Sequence, residues 1–149
     1  MIIVVQEKEV QRIMAWQFTS RAPVYLQIVS RIRADILAGV YQPDEQIPSV
    51  RQLALTAGVN PNTMQRAFTV LEAERLFVTR GTVGRFITTD EDVLAHAREV
   101  TRRETVARIL EEAETAGLTP EALIEGIRVY VNEGQAPDKE ESTERSEQA

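Results

Sequence analysis

The sequence has 149 residues, 43% apolar and 27% charged, which suits one ordinary domain with an appendage and excludes both a large multidomain enzyme and a disordered chain. With no cysteine, one histidine, no run near the ~18 apolar residues that cross a bilayer and no secretion-signal pattern at Met1–Gln6, we expect no cofactor, no metal, no membrane partner and a cytoplasmic location. The net charge of −6 hides an asymmetry: Met14–Thr89 hold eight arginines against five acids, plus 3, whereas Asp90–Ala149 hold seven basic residues against sixteen acids, minus 9, as expected when only the first part meets phosphate.

Val24–Leu37 carry Tyr25, Ile28, Ile32 and Ile36 at helical steps of three and four, and Gly39 supplies a stop, so a first helix is expected there. After a Pro43-Asp44 turn, Ser49 can cap the Gln52 amide while Gln52 reaches back to Ser49. A short second helix starts at that box, carries Leu53 and Ala54 inward and ends near Ala57-Gly58. Asn60-Pro61 then opens a third helix, expected to run to about Arg75, because asparagine is a good N-cap and proline has no N–H to leave unpaired. Its apolar stripe is Met64, Ala67, Phe68 and Leu71. At 100° per residue Asn62, Arg66 and Thr69 fall opposite that stripe, with Thr63 and Gln65 on its flanks.

Leu76–Thr79 and Arg85–Thr88 read as the strands of a β-hairpin whose tip, Arg80-Gly81-Thr82-Val83-Gly84, is bracketed by glycines. Thr89 as cap and Gly117 as stop frame a long fourth helix reaching Ala116, with Val93, Ala97, Val100, Ile109, Leu110 and Ala113 apolar. Thr119-Pro120 opens a fifth with Leu123, Ile124, Ile127 and Val131 on one stripe. Asn132–Ala149 have no large apolar residue and six acids against two bases, and are expected to be disordered.

Helix, short helix, helix, hairpin is the order of a winged helix-turn-helix, so the fold is expected to be mainly α with a small β-hairpin, followed by a short two-helix region. The second helix of such a motif lies in the major groove of DNA with its N-terminal residues against base edges. On that reading Arg51 reaches a phosphate or a guanine, Asn60 and Thr63 suit phosphate along with the free amides of the helix start, and Asn62, Gln65 and Arg66 read bases. Arg80 and Arg85 flank a tip that can lie along or into the minor groove. Each piece also has a plainer use: Ser49 and Asn60 as caps, the polar helix face as solvated surface, the hairpin arginines as guards against edge pairing.

His96 stands among solvent-type residues without a Ser or Asp partner, so no enzyme is expected. Helices four and five are too short to bury their own stripes, so two copies paired across a two-fold axis would cover Val93, Val100, Leu110, Leu123, Ile127 and Val131. A cleft between the paired helices is a candidate seat for a small apolar effector, although no polar groups in the sequence converge on one.

Pro23-Val24-Tyr25-Leu26-Gln27-Ile28, Ile47-Pro48-Ser49-Val50-Arg51-Gln52-Leu53-Ala54, Gly58-Val59-Asn60-Pro61-Asn62-Thr63-Met64-Gln65-Arg66-Ala67 and Arg80-Gly81 closely resemble the DNA-binding domain of GntR-family bacterial transcription regulators. The Asn-Pro-Asn-Thr turn, with a two-helix tail containing Gly117-Leu118-Thr119, is similar to the small YtrA-type subfamily. The resemblance implies a homodimeric repressor, often governing a neighbouring transporter operon; a two-fold dimer would read a pseudo-palindromic operator, and the residues expected at the DNA are Ser49, Arg51, Asn60, Pro61, Asn62, Thr63, Gln65, Arg66, Arg80, Gly81 and Arg85. Two places depart from it: Val50 stands where many relatives have an acid, and the wing tip reads Thr82-Val83-Gly84-Arg85. The expected domains are 14–89 for DNA binding, 90–133 for dimerisation and 134–149 as acidic tail. The resemblance begins near Met14, so residues 1–13 are read as an extension from a misplaced start codon, or as a helical arm with Val5, Val10 and Ile13. The competing function is a protein-interaction module with the winged helix as scaffold and the acidic tail engaging a basic partner.

Overall fold

The computed structural model describes residues 16–134, so the expectations for residues 1–13 and 135–149 lie outside it. Two compact units are present, one reaching Arg103 and the other beginning at Glu104. The first contains α1 (Val24–Leu37), α2 (Val50–Ala57), α3 (Pro61–Ala73), β1 (Phe77–Arg80), β2 (Gly84–Ile87) and the first half of α4 (Glu91–Thr115).

α1 has no side-chain cap; the carbonyl of Pro23 instead accepts from the Leu26 and Gln27 amides at 3.1 and 3.3 Å. Gln27 fastens the preceding loop, donating to the Thr19 and Ala22 carbonyls at 2.8 and 2.7 Å and accepting from the Thr19 amide at 2.9 Å. Ile28, Val29, Ile32 and Ile36 are buried in one core with Leu53, Ala54 and Ala57 of α2 and the stripe of α3, the helix on which both α1 and α2 pack. That stripe is the one expected: Met64, Ala67, Phe68 and Leu71 are each 0% exposed. Phe68 meets Phe77 edge-on at 5.0 Å, the arrangement that ring quadrupoles favour. Arg33, only 4% exposed, is tied to Glu74 at 2.6 Å, so the one deeply buried cation of α1 has a carboxylate partner at the end of α3.

α3 stops at Ala73, two residues short of expectation, because Arg75 turns left-handed (φ 65°) and the Leu76 amide bonds back to the Leu71 carbonyl at 3.0 Å. Leu76 is thereby drawn into the core, and the first strand begins one residue late. The hairpin pairs Phe77 with Ile87, Val78 with Phe86, Thr79 with Arg85 and Arg80 with Gly84. The loop shrinks to Gly81–Val83 and Gly84 becomes a strand residue. A third rung lies along β2, unsignalled by any alternation in the sequence: Ile47 donates to Arg85 at 3.0 Å, Ile87 to Glu45 at 2.9 Å, and Gln46 bridges Phe86.

The start of α4 also differs. Asp90 caps it in place of Thr89, its Oδ1 accepting from the Asp92 and Val93 amides at 2.9 and 3.3 Å, while Thr88 Oγ1 accepts from the Asp90 amide at 3.1 Å. A carboxylate there also answers the positive end of the helix dipole. Leu94, outside the expected stripe, and Ala97 are buried in the core of this unit, with Val93 packed against it. The compact unit therefore extends past Thr89. α4 itself stops at Thr115, just before Gly117 (φ 79°).

The second unit holds the rest of α4 and α5 (Pro120–Glu133), which Thr119 caps through the Ala122 amide at 3.2 Å. Ala113 is buried and Leu123 half-buried, whereas Leu110, Ile127 and Val131 are exposed, Val131 to 70%. Two helices leave most of their apolar surface open to solvent. Among the described residues no helix is long and apolar enough to cross a membrane.

Candidate nucleic-acid interface

The link between α2 and α3 is three residues long, and local chemistry dictates its shape. Ser49 and Gln52 form the reciprocal capping box, Gln52 N to Ser49 Oγ at 3.2 Å and Ser49 N to Gln52 Oε1 at 3.1 Å. Gly58 closes α2 with φ 69°, a left-handed conformation that costs glycine little. Asn60 Oδ1 then accepts from the Asn62 amide at 2.8 Å with Pro61 in the first helical turn. One helix-start amide expected to be free is therefore taken, that of Asn62.

Beyond this turn α3 presents Asn62, Gln65, Arg66 and Thr69 to solvent, with Thr63 half-buried. Gln65 and Thr69 are joined one turn apart, Thr69 Oγ1 donating to the Gln65 carbonyl at 3.0 Å. Arg66 lies over the Tyr25 ring, 3.9 Å from its centroid, and both line one shallow cleft with Pro23, Val24, Asn62 and Thr63. Arg51 is exposed in the first turn of α2 and makes no ion pair or hydrogen bond through its side chain to another described residue.

The two hairpin arginines are both engaged. Arg80 pairs with Asp44 and stacks on Phe86, its guanidinium 4.2 Å from the ring centroid. Arg85 pairs with Glu72 and sits 5.3 Å from the centroid of Phe68, so its half-buried side chain turns toward α3 and holds the hairpin there. Gly81 occupies the tip with φ 51°, and Val83 beside it is 67% exposed. Gln46 braces the tip from below, donating to the Val83 carbonyl at 2.8 Å. Ser49, Gln52, Thr56, Gln46, Val83 and Arg85 line a second cleft between α2 and the wing.

Five of the residues singled out from the sequence line these clefts: Asn62, Thr63 and Arg66 the first, Ser49 and Arg85 the second. Arg51, Asn60, Pro61, Gln65, Arg80 and Gly81 line neither. Two participants had no clear signal. Tyr25 sits on the apolar period of α1 and reads as core, yet its ring carries Arg66. Gln46 lies in a loop, where nothing local marks it as a brace.

The sequence profile of bacterial regulatory proteins of the gntR family matches residues 24–87, the span from α1 to β2. Over 118 residues the chain is 32% identical to the uncharacterised HTH-type transcriptional regulator YhcF of Bacillus subtilis, covering 79% of this chain and 98% of that one. It is 31% identical over 110 residues to the HTH-type transcriptional repressor YtrA of the same organism, covering 73% and 85%. A solved GntR family transcriptional regulator from Listeria monocytogenes matches with a TM-score of 0.63 at 29% identity, over 74% of this chain and 97% of that one. With a capped helix-turn-helix, a braced wing and relatives matched over nearly their whole length, the chain belongs to the GntR family of bacterial transcriptional regulators, in its YtrA-type branch.

Proposed function

We propose that the chain binds a pseudo-palindromic operator as a homodimer and represses the adjoining genes, in the cytoplasm, with a neighbouring transporter operon as the expected target. The observation that carries this is α3: one face is wholly buried, and the other offers Asn62, Gln65 and Arg66 in its first two turns. In a major groove those three read bases, Asn and Gln matching adenine and Arg matching guanine. Ser49, Arg51, Asn60 and Thr63 contact the backbone, and Pro61 sets the turn. The wing contact falls to Arg80, Gly81 and Val83, while Arg85 serves to hold the hairpin on α3.

Dimerisation falls to the second unit, where Leu110, Leu123, Ile127 and Val131 have no enclosing core of their own. Val93 packs against the core of the first unit instead, while half-buried Val100, also in that unit, stays in the proposed interface. A cleft between the paired helices, bordered by the open cleft of Ala107, Leu110 and Leu118 on each copy, is the seat we propose for a small apolar effector. Selection of DNA from a random pool, gel shifts of the winner at two salt concentrations and sedimentation of the free protein test the reading together. We expect a two-fold-related site with half-sites about one helical turn apart, affinity that falls steeply with salt, and a dimer at micromolar concentration. Enrichment of no sequence, with capture of a basic protein partner instead, would favour an interaction module.

A further inference from the structure

Arg66 differs from the other stacked arginines of the first unit. Arg31 lies 4.6 Å from the Trp16 centroid, and Arg80 and Arg85 lie over Phe86 and Phe68, but each of the three has a carboxylate beside it: Asp35, Asp44 and Glu72. Arg66 lies nearest to its ring, at 3.9 Å from the Tyr25 centroid, and makes no ion pair or hydrogen bond through its side chain to another described residue. A guanidinium stacked on a ring keeps its N–H groups in its own plane, so stacking immobilises the group without using its donors. The ring is itself well held. Tyr25 is the second residue of α1, half-buried against the core, on the end of the helix that Gln27 fastens to Thr19 and Ala22.

We propose that Tyr25 is a positioning residue for base recognition, its ring holding the Arg66 guanidinium as a preset fork for O6 and N7 of one guanine in each half-site. The proposal rests on reading α3 as the base-reading helix. A free arginine loses rotamer freedom when it binds; one already laid on a ring has lost it beforehand, so the fork selects guanine more sharply. The same fork would fit a phosphate, in which case all sequences would benefit alike.

The test uses the full chain and its selected operator, with guanine, adenine or 7-deazaguanine placed in turn at each guanine position. Arg66→Ala should flatten the preference at one position of each half-site and remove the sensitivity to 7-deazaguanine there. Tyr25→Leu and Tyr25→Met, which keep apolar bulk against the core, should lower that same preference by about threefold to tenfold, whereas Tyr25→Phe keeps it within about twofold. Tyr25→Leu combined with Arg66→Ala should match Arg66→Ala alone. In the unsubstituted protein the Arg66 Nε–Hε resonance should be ring-current shifted, a readout independent of how any variant folds. The proposal is overturned by no such shift, by an unchanged preference in Tyr25→Leu, or by equal weakening on all sequences in both Tyr25→Leu and Arg66→Ala. If the wild-type chain selects no sequence at all, the operator-binding reading falls with it; if it selects one that Arg66→Ala leaves unchanged, only the role of Arg66 and Tyr25 falls.

Discussion

Gly84→Ala should unseat the wing, and the structure sets the size of the effect. Gly84 pairs with Arg80 at the end of β2 with φ +141°, a conformation that L side chains rarely adopt, and strain of that kind costs about 1–3 kcal/mol. A Cβ there would also stand 2.7 Å from Gln46 Nε2, the donor that holds the Val83 carbonyl. The Gln46 side chain can swing away, so the clash is relieved cheaply, at the expense of one exposed hydrogen bond worth about 1 kcal/mol. Together the loss is about 2–4 kcal/mol, which lowers the melting temperature of a domain this size by about 8–30 °C. Gln46→Ala alone loses only the hydrogen bond. In that background Gly84→Ala should cost the backbone strain alone, making the two changes sub-additive by about 1 kcal/mol. Thermal melts of the four proteins measure this, and gel shifts on the operator report the wing. A Gly84→Ala protein melting within about 2 °C of wild type, or a cost independent of residue 46, would refute the reasoning.

Gln65→Ala should lose about 1–3 kcal/mol of specific affinity and relax base preference, while Arg51→Ala should weaken specific and non-specific DNA alike and lower the salt slope by about one; fluorescence titrations across salt separate the two. Ending the chain at Arg103 should leave a folded monomer that binds a half-site weakly, whereas ending it at Thr89 removes Leu94 and Ala97 from the core, about 2–4 kcal/mol, and should give a markedly lower melting temperature by circular dichroism. Glu99 is held well below its ordinary value of 4.5, at about 2, by hydrogen bonds from Arg102 and then Arg103. Its contribution to stability is therefore complete above pH 4.5 and disappears as the pH falls through about 2. Side-chain carboxyl NMR at low salt should show that midpoint, and one near 4.5 would mean the exposed pairs do not persist in solution.

What the sequence determined by itself is what depends on near neighbours. The stripe Met64, Ala67, Phe68 and Leu71, the Ser49–Gln52 capping box and the Asn60-Pro61 start are set by helical period and by bonds spanning two to four residues, and all three stand in the structure as expected. The order of helices and hairpin, and hence the winged helix-turn-helix, followed from them. Tertiary structure alone decided the rest, because long-range partners are not encoded in local spacing. Arg85 looks from the sequence like a groove-seeking cation, but Glu72, thirteen residues back in the chain, claims it. Gln46 becomes the brace of a hairpin tip thirty-seven residues away. Not every departure is long-range: Thr89 and Asp90 are both competent caps, and the choice of Asp90 shows only in the local geometry, where its Oδ1 accepts from the Asp92 and Val93 amides and Thr88 Oγ1 accepts from the Asp90 amide. The end of the first unit moved from Thr89 to Arg103 because of long-range packing: helical periodicity says which residues share a face, whereas the burial of Leu94 and Ala97 depends on the core they join with residues of α1, α2 and α3.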